Sequence, residues 1–234
     1  MITIWGGQIS RSIRVVWLLE EMGLPYEVRQ VDMLAEERDP RFLALNPADY
    51  IPVLQDGPVT MVESIAIMEY LLARHGPTPL APVPHDPGFP AYQQFLHLGE
   101  AGLATLMMPA IVSRFMAPPA ERDNWAARWC LQSLRKRVTL VERRLAEAPY
   151  LAGDRFTAAD ISVTYAFMLG QRHCDLTLSP TARDYLARTT GRDAYGRALE
   201  RSHEGVATSY KPSVTTTKSE YCPTGGSAPI STRP

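Results

Sequence analysis

Residues 46–72, NPADYIPVLQDGPVTMVESIAIMEYLL, constrain the fold more than any other part of this chain. They read as strand, tight turn, strand, helix. Ile51-Pro52-Val53-Leu54 is a short apolar run headed by proline. Proline has no N–H for a ladder and belongs at the first residue of a strand. Asp56-Gly57 between apolar runs signals a hairpin, with residues 59–62 as the return strand. Glu63-Ser64 then opens a helix in which Ile65, Met68, Leu71 and Leu72 recur at helical spacing, and Gly76 after Arg74-His75 is a fitting stop.

The same stretch carries binding chemistry. An X-Pro bond before a strand can be cis, which would turn the backbone of Ile51 outward with its donor and acceptor free. Ser64 brings a hydroxyl to a helix start, where free N–H groups and the positive dipole end favour a carboxylate. Glu63 beside it can pair with an ammonium. Together they suit an amino-acid head group. The alternative is purely structural: Ser64 as an N-cap, Pro52 as a strand start.

Asn46-Pro47, Ile51-Pro52-Val53-Leu54, Asp56-Gly57 and Glu63-Ser64-Ile65-Ala66-Ile67, in this order and spacing, resemble the glutathione-binding half of the glutathione S-transferase family. The resemblance covers residues 1–203. It implies a thioredoxin-like α/β domain with a cis-proline loop and a Glu-Ser pair, followed by an all-α helical domain. It also implies a homodimer with glutathione as co-substrate and no metal.

The rest of the chain is read in that light. Residues 2–5 form a first strand ended by Gly6-Gly7, and residues 12–22 a helix stopped at Gly23-Leu24-Pro25. Apolar residues lie nearly all round that helix, so it is expected to be buried on more than one side. Residues 26–31 are a second strand and 40–45 a short helix, giving the order strand, helix, strand, helix, strand, strand, helix. Residues 76–90 hold six prolines and read as a linker. The expected division is therefore 1–76, linker 77–90, helical domain 91–203 and a disordered tail 204–234 rich in Thr, Ser, Pro and Gly.

In the helical part, residues 92–116 form a helical pattern with a kink expected at Pro109. Residues 120–148 form another, with Trp125, Trp129, Leu134, Val138, Val141 and Leu145 near helical spacing and an arginine-rich solvated face. Thr157-Ala158-Ala159-Asp160 has the form of a capping box, flanked by Phe156 and Ile161 as a hydrophobic staple. It opens a strongly apolar helix. Two short helices, 180–188 and 193–202, follow.

Net charge is −1 with no long basic run, which argues against nucleic acid or an anionic membrane as partner. Cys130, Cys174 and Cys222 are odd in number and far apart, without disulfide-framework or metal-ligand spacing. No uninterrupted apolar run approaches 18 residues, and the N-terminal MITIWGG lacks the flanks of a signal peptide. A cytoplasmic location is the expectation.

The family adds the thiolate of glutathione to an electrophile. A thiol has a pKa of about 8.5, and lowering it by two units takes about 3 kcal/mol. A hydroxyl aimed at the sulfur beside a helix N-terminus can contribute much of that. Where tyrosine-type members place the hydroxyl, this chain has Trp5, whose indole cannot serve. Where serine-type members place a serine, it has Ile9. Ser10 follows at once and is the candidate, with Ser12 and Arg11 as alternatives; Ser10 and Ser12 could instead only cap the helix. No cysteine lies in this loop, which disfavours thiol exchange by the protein itself. In the family reading Glu63 and Ser64 hold the γ-glutamyl end, and the Ile51 backbone at Pro52 pairs with the cysteinyl part. The glycine carboxylate wants a cation where Tyr50 stands, so Arg38, Arg41 or a hydroxyl must substitute. Phe95, Met107, Met108, Phe115 and Tyr165 are candidate walls of an electrophile pocket, with plain core as their alternative. A glutathione-dependent isomerase or dehalogenase, or a non-catalytic binding protein on this scaffold, are the rival functions.

Overall fold

A computed structural model describes residues 1–7, 10–33, 35–122 and 124–203. The tail expected to be disordered, and Cys222 within it, lie outside the described residues. The N-terminal domain contains β1 (Ile2–Gly6), α1 (Ser12–Met22), β2 (Tyr26–Gln30), α2 (Pro40–Leu45), β3 (Val53–Asp56), β4 (Val59–Val62) and α3 (Ser64–His75). The sheet order is β2-β1-β3-β4. β1 runs parallel to β2 and antiparallel to β3, so the sheet is mixed, and β3 and β4 form the expected hairpin. Gly57 takes φ 59° in that turn, where a side chain would be strained.

Alternation along the strands sorts the sheet's two faces. Ile2, Ile4 and Leu54 join α1 and α3 in the main core, whereas Trp5 and Val53 pack with Phe42 of α2 on the opposite face. α1 is buried along most of its length, as the all-round apolar pattern predicts, and ends at Gly23 in the left-handed region. Its helical neighbours are α3 and two later helices, Ala158–His173 and Asp193–His203.

The C-terminal domain is helical: α4 (Phe89–His97), a π-helical turn (Leu98–Ala104), α5 (Thr105–Phe115), a 3-10 turn (Pro119–Glu121), α6 (Trp125–Glu147), α7 (Ala158–His173), α8 (Pro180–Thr190) and α9 (Asp193–His203). Three sequence expectations change here. The departure from α-helix falls at Leu98–Ala104, while Pro109 sits inside α5. Tertiary contacts explain the shift: Ser162 Oγ donates to the Leu96 carbonyl at 2.7 Å and Arg14 Nη2 to the Gly99 carbonyl at 3.2 Å. Side chains drawing carbonyls out of the regular ladder widen a helix. A Cβ on Gly99 would stand 2.3 Å from Ser162 Oγ, so glycine is needed for this approach to α7.

Second, α6 begins at Trp125 after the 3-10 turn, with Asn124 Oδ1 capping the Ala127 N–H at 3.0 Å. Trp125 and Trp129 do not join the core. They are 71% and 52% exposed and stack on each other at 6.4 Å. The buried stripe is Ala127, Leu134, Val138, Val141 and Leu145; Trp125, two residues from Ala127, is about 200° round the helix. Third, the continuous helical stretch Phe89–Phe115 spans 27 residues and holds an 18-residue window of mean hydropathy 1.4, enough by length and composition alone to cross a membrane. No uninterrupted apolar run marks it, because polar residues punctuate it. A core helix gives the same signature, and 44% of its most apolar window is buried.

The Thr157 box forms as expected. Asp160 Oδ2 accepts the Thr157 N–H at 2.8 Å and Oδ1 accepts the Leu151 N–H and the Tyr185 hydroxyl, each at 3.0 Å. The segment after α3 is fastened to the same place, since the Leu80 carbonyl accepts the Ala158 N–H at 3.0 Å.

Candidate functional site

The site is built where the first turns of α1 and α3 approach each other. Gln8 and Ile9 lie outside the described residues. Ser10 is half-buried; its Oγ accepts the Ser12 N–H at 3.2 Å and lies 3.0 Å from both the Gly7 carbonyl and Ser12 Oγ. It therefore satisfies one first-turn donor of α1 and still reaches solvent. Ser12 is fully buried. A Cβ on Gly6 would stand 2.1 Å from Ser12 Oγ, so the strand end is packed on that hydroxyl. Of the two serines, Ser10 is therefore the more exposed.

Arg11 points toward the helical domain. Its Nε lies 2.9 and 3.0 Å from the two Glu100 oxygens, and Met108 Sδ is 3.9 Å from Nη1. Burial opposes its charge, but the hydrogen bond and charge of Glu100 outweigh that and raise its pKa. Behind it lies Arg14, fully buried in α1, which donates to Glu100, to Ser64 Oγ at 3.3 Å, to the Gly99 carbonyl and to the Ser162 carbonyl at 3.4 Å. Its guanidinium carbon sits 4.2 Å from the Tyr165 ring centroid. Burial raises the pKa of Glu100 but the two arginines dominate and hold it at about 2. Two cations and one anion leave a single positive charge beside the site.

On the α3 side the Ile51–Pro52 peptide is cis. Asn46 Nδ2 donates to the Tyr50 carbonyl at 2.7 Å and so braces the approach to that bond. Glu63 occupies the cap position with φ 71°, a backbone region costly for a side chain, and makes no capping bond. Such outliers concentrate at functional sites. Ser64 is the first helical residue and nearly fully buried; its hydroxyl meets Arg14 and does not cap α3. Tyr50 hydroxyl donates to Glu63 Oε1 at 3.1 Å. The two candidate cations are committed elsewhere. Arg38 binds Asp49 at 3.0 Å and the Met33 carbonyl at 2.6 Å, and Arg41 binds Asp39 at 2.7 Å.

The five wall candidates separate by burial. Phe95, Met107 and Tyr165 are packed in the main core and present no wall, since helix packing consumes their faces. Met108 is half-buried beside Arg11, and Phe115, 56% exposed, stacks edge-on with His173. Two open clefts, of about 490 and 450 Å³, lie away from this site. The larger is lined by Glu20, Glu21, Arg192 and Arg197, whose charges are already paired with one another.

A family model of the glutathione S-transferase N-terminal domain matches residues 1–73, and one of the C-terminal domain matches residues 103–187. Glutathione S-transferase 3 of Schizosaccharomyces pombe is 30% identical over 174 residues, spanning 70% of this chain and 72% of that protein. The chain belongs to the glutathione S-transferase family. Among solved structures similar to it, a bacterial glutathione S-transferase, BphK, in a ternary complex, has a TM-score of 0.74 at 28% identity, over 86% of this chain and 98% of that one. A theta-class glutathione S-transferase of Xanthomonas axonopodis pv. citri with glutathione bound has a TM-score of 0.70 at 28% identity, over 85% and 96%.

Against the family pattern, the residues that sequence reasoning missed are Arg14 and Glu100. Arg14 stood in plain view: a lone cation in the otherwise apolar run Ile13 to Leu19 of a helix expected to be buried all round. A cation there requires a buried partner. Nothing in the sequence pointed to Glu100, 86 residues away, as that partner.

Proposed function

We propose that this glutathione S-transferase binds the tripeptide across the first turns of α1 and α3 and adds its thiolate to small, largely apolar electrophiles. One observation carries the reading. Arg14 ties the start of α1, beside the half-buried Ser10, to the start of α3, where Ser64 sits, so two helix N-termini flank one site. Helix N-termini favour anions. In this reading Ser64 and the α3 N-terminus take the γ-glutamyl carboxylate, Glu63 takes its ammonium, and the backbone at Ile51, ahead of Pro52, pairs with the cysteinyl unit. Ser10 turns its hydrogen from the Gly7 carbonyl to the sulfur, and the positive charge of Arg11 lies on the same side. Arg38 and Arg41 are engaged with Asp49 and Asp39, and the Tyr50 hydroxyl, which donates to Glu63, braces that carboxylate at the γ-glutamyl end. Met108 and Phe115 border the electrophile.

The functional unit in this proposal is a cytoplasmic homodimer of chains divided as 1–76, 77–90 and 91–203. Cys130 and Cys174, the free cysteines among the described residues, accord with a reducing compartment. The test is retention on immobilised glutathione, followed by the ultraviolet thiolate absorbance of the bound tripeptide as pH is varied. Wild type is expected to lower the apparent thiol pKa below the usual value of about 8.5. Ser10→Ala is expected to retain binding and lose most of that shift. Binding without any lowering of the thiol pKa would instead fit a non-catalytic binding protein.

A further inference from the structure

Arg14 is among the largest fully buried side chains in the protein. A guanidinium carries donors only. Ser64 Oγ, 3.3 Å from Arg14 Nη1, can therefore only accept from it. The hydroxyl's own hydrogen must point elsewhere, and among the described residues the bond from Arg14 is the only one Ser64 Oγ makes. A nearly fully buried hydroxyl held in that orientation offers a fixed donor at the first turn of α3, beside the free N–H groups of the helix. Only an acceptor satisfies it.

Arg14 is itself held from four directions. Glu100 neutralises it, the Gly99 and Ser162 carbonyls take Nη2, and the Tyr165 face lies beneath it. Those partners come from the π-helical turn and α7, both in the helical domain. The orientation of a hydroxyl in the sheet domain is thus set by groups in the other domain.

We propose that Arg14 is a positioning residue that fixes the polarity of Ser64 and so selects a carboxylate at that point of the ligand. The inference rests on the glutathione reading above and adds the residue that decides which head group is accepted. It predicts that Arg14 matters for the γ-glutamyl carboxylate and for no other part of the tripeptide.

The test uses the full-length protein and two ligands, glutathione and 4-aminobutanoyl-cysteinylglycine, which lacks that carboxylate. Affinities are measured by calorimetry for wild type, Arg14→Met, Ser64→Ala and the double variant. Arg14→Met is expected to weaken glutathione about tenfold and the decarboxylated analogue less than twofold. With Ser64→Ala in place, adding Arg14→Met should cost less than twofold more, because the two residues act as one unit. Arg14→Lys, which keeps a donor, should recover part of the discrimination. Arg14→Met with Glu100→Gln removes both buried charges and serves if the single variant does not fold. If no Arg14 variant folds, Ser64→Ala decides: it must erase the preference for the carboxylate. Equal weakening of both ligands, additive losses in the double variant, or a Ser64→Ala protein that keeps the preference overturns the inference. A wild-type protein that binds neither ligand overturns the function proposed above along with it.

Discussion

Replacing Glu100 with glutamine tests the charge cluster that joins the two domains. The carboxylate is held at about 2 against an ordinary 4.5 because Arg11 and Arg14 both bind it, which outweighs the cost of burial. A difference of about 2.5 units at about 1.4 kcal/mol each is an upper figure of about 3.5 kcal/mol. The side chain keeps 19% of its exposure, so solvent screening reduces this to about 2–3 kcal/mol. The variant also leaves Arg14, with no exposed surface, lacking its counter-charge, and breaking a buried pair from one side costs about 3–5 kcal/mol. An amide oxygen can still accept one hydrogen bond, so the expected loss is about 3 kcal/mol. With a urea dependence of about 2 kcal/mol per molar, the unfolding midpoint at pH 7 should fall by about 1.5 M.

The pH dependence has a definite sign. A carboxylate whose folded pKa is depressed stabilises the fold fully above its unfolded pKa, and that contribution is lost as pH falls through the folded value. For Glu100 the window runs from about 4.5 down to about 2. Wild type should lose stability across it more steeply than Glu100→Gln, while other carboxylates contribute equally to both proteins. A midpoint shift under 0.3 M at pH 7 (about 0.6 kcal/mol at that slope), or parallel loss of stability in the two proteins on acidification, would refute the reasoning.

Other outcomes are expected from the same structure. Asp160→Ala should lower stability by about 2–4 kcal/mol in thermal or urea unfolding, because the Thr157 and Leu151 N–H groups and the Tyr185 hydroxyl are left buried without an acceptor. Glu63→Gly should raise stability by about 1 kcal/mol by relieving the φ 71° backbone, while weakening glutathione binding in calorimetry; a loss of stability would show that the turn is not strained. Trp125→Ser should change stability by less than about 0.5 kcal/mol and leave thiol activation untouched, since the ring is 71% exposed.

Local chemistry was enough to read the element order. Asp56-Gly57 marks a turn wherever it lies between apolar runs, Pro40 and Gly23 mark a helix start and stop, and the Thr157 to Asp160 box closes on itself within four residues. These signals depend on neighbours in sequence, and they survived folding unchanged. The Glu63-Ser64 pair was legible for the same reason. What the sequence left open is which surfaces meet. Periodicity marks a helix face as apolar without saying whether another element covers it. Phe95, Met107 and Tyr165 are therefore core while Trp125 and Trp129 face outward. Ser10 and Ser12 are alike as letters, yet the close approach of Gly6 buries one and spares the other. The pairing of Arg14 with Glu100 across 86 positions follows only from the docking of α4 and the π-helical turn onto α7, which itself packs on α1. A buried charge must find a counter-charge, but sequence has no term for the distance between residues that far apart, and only the packed chain supplies it.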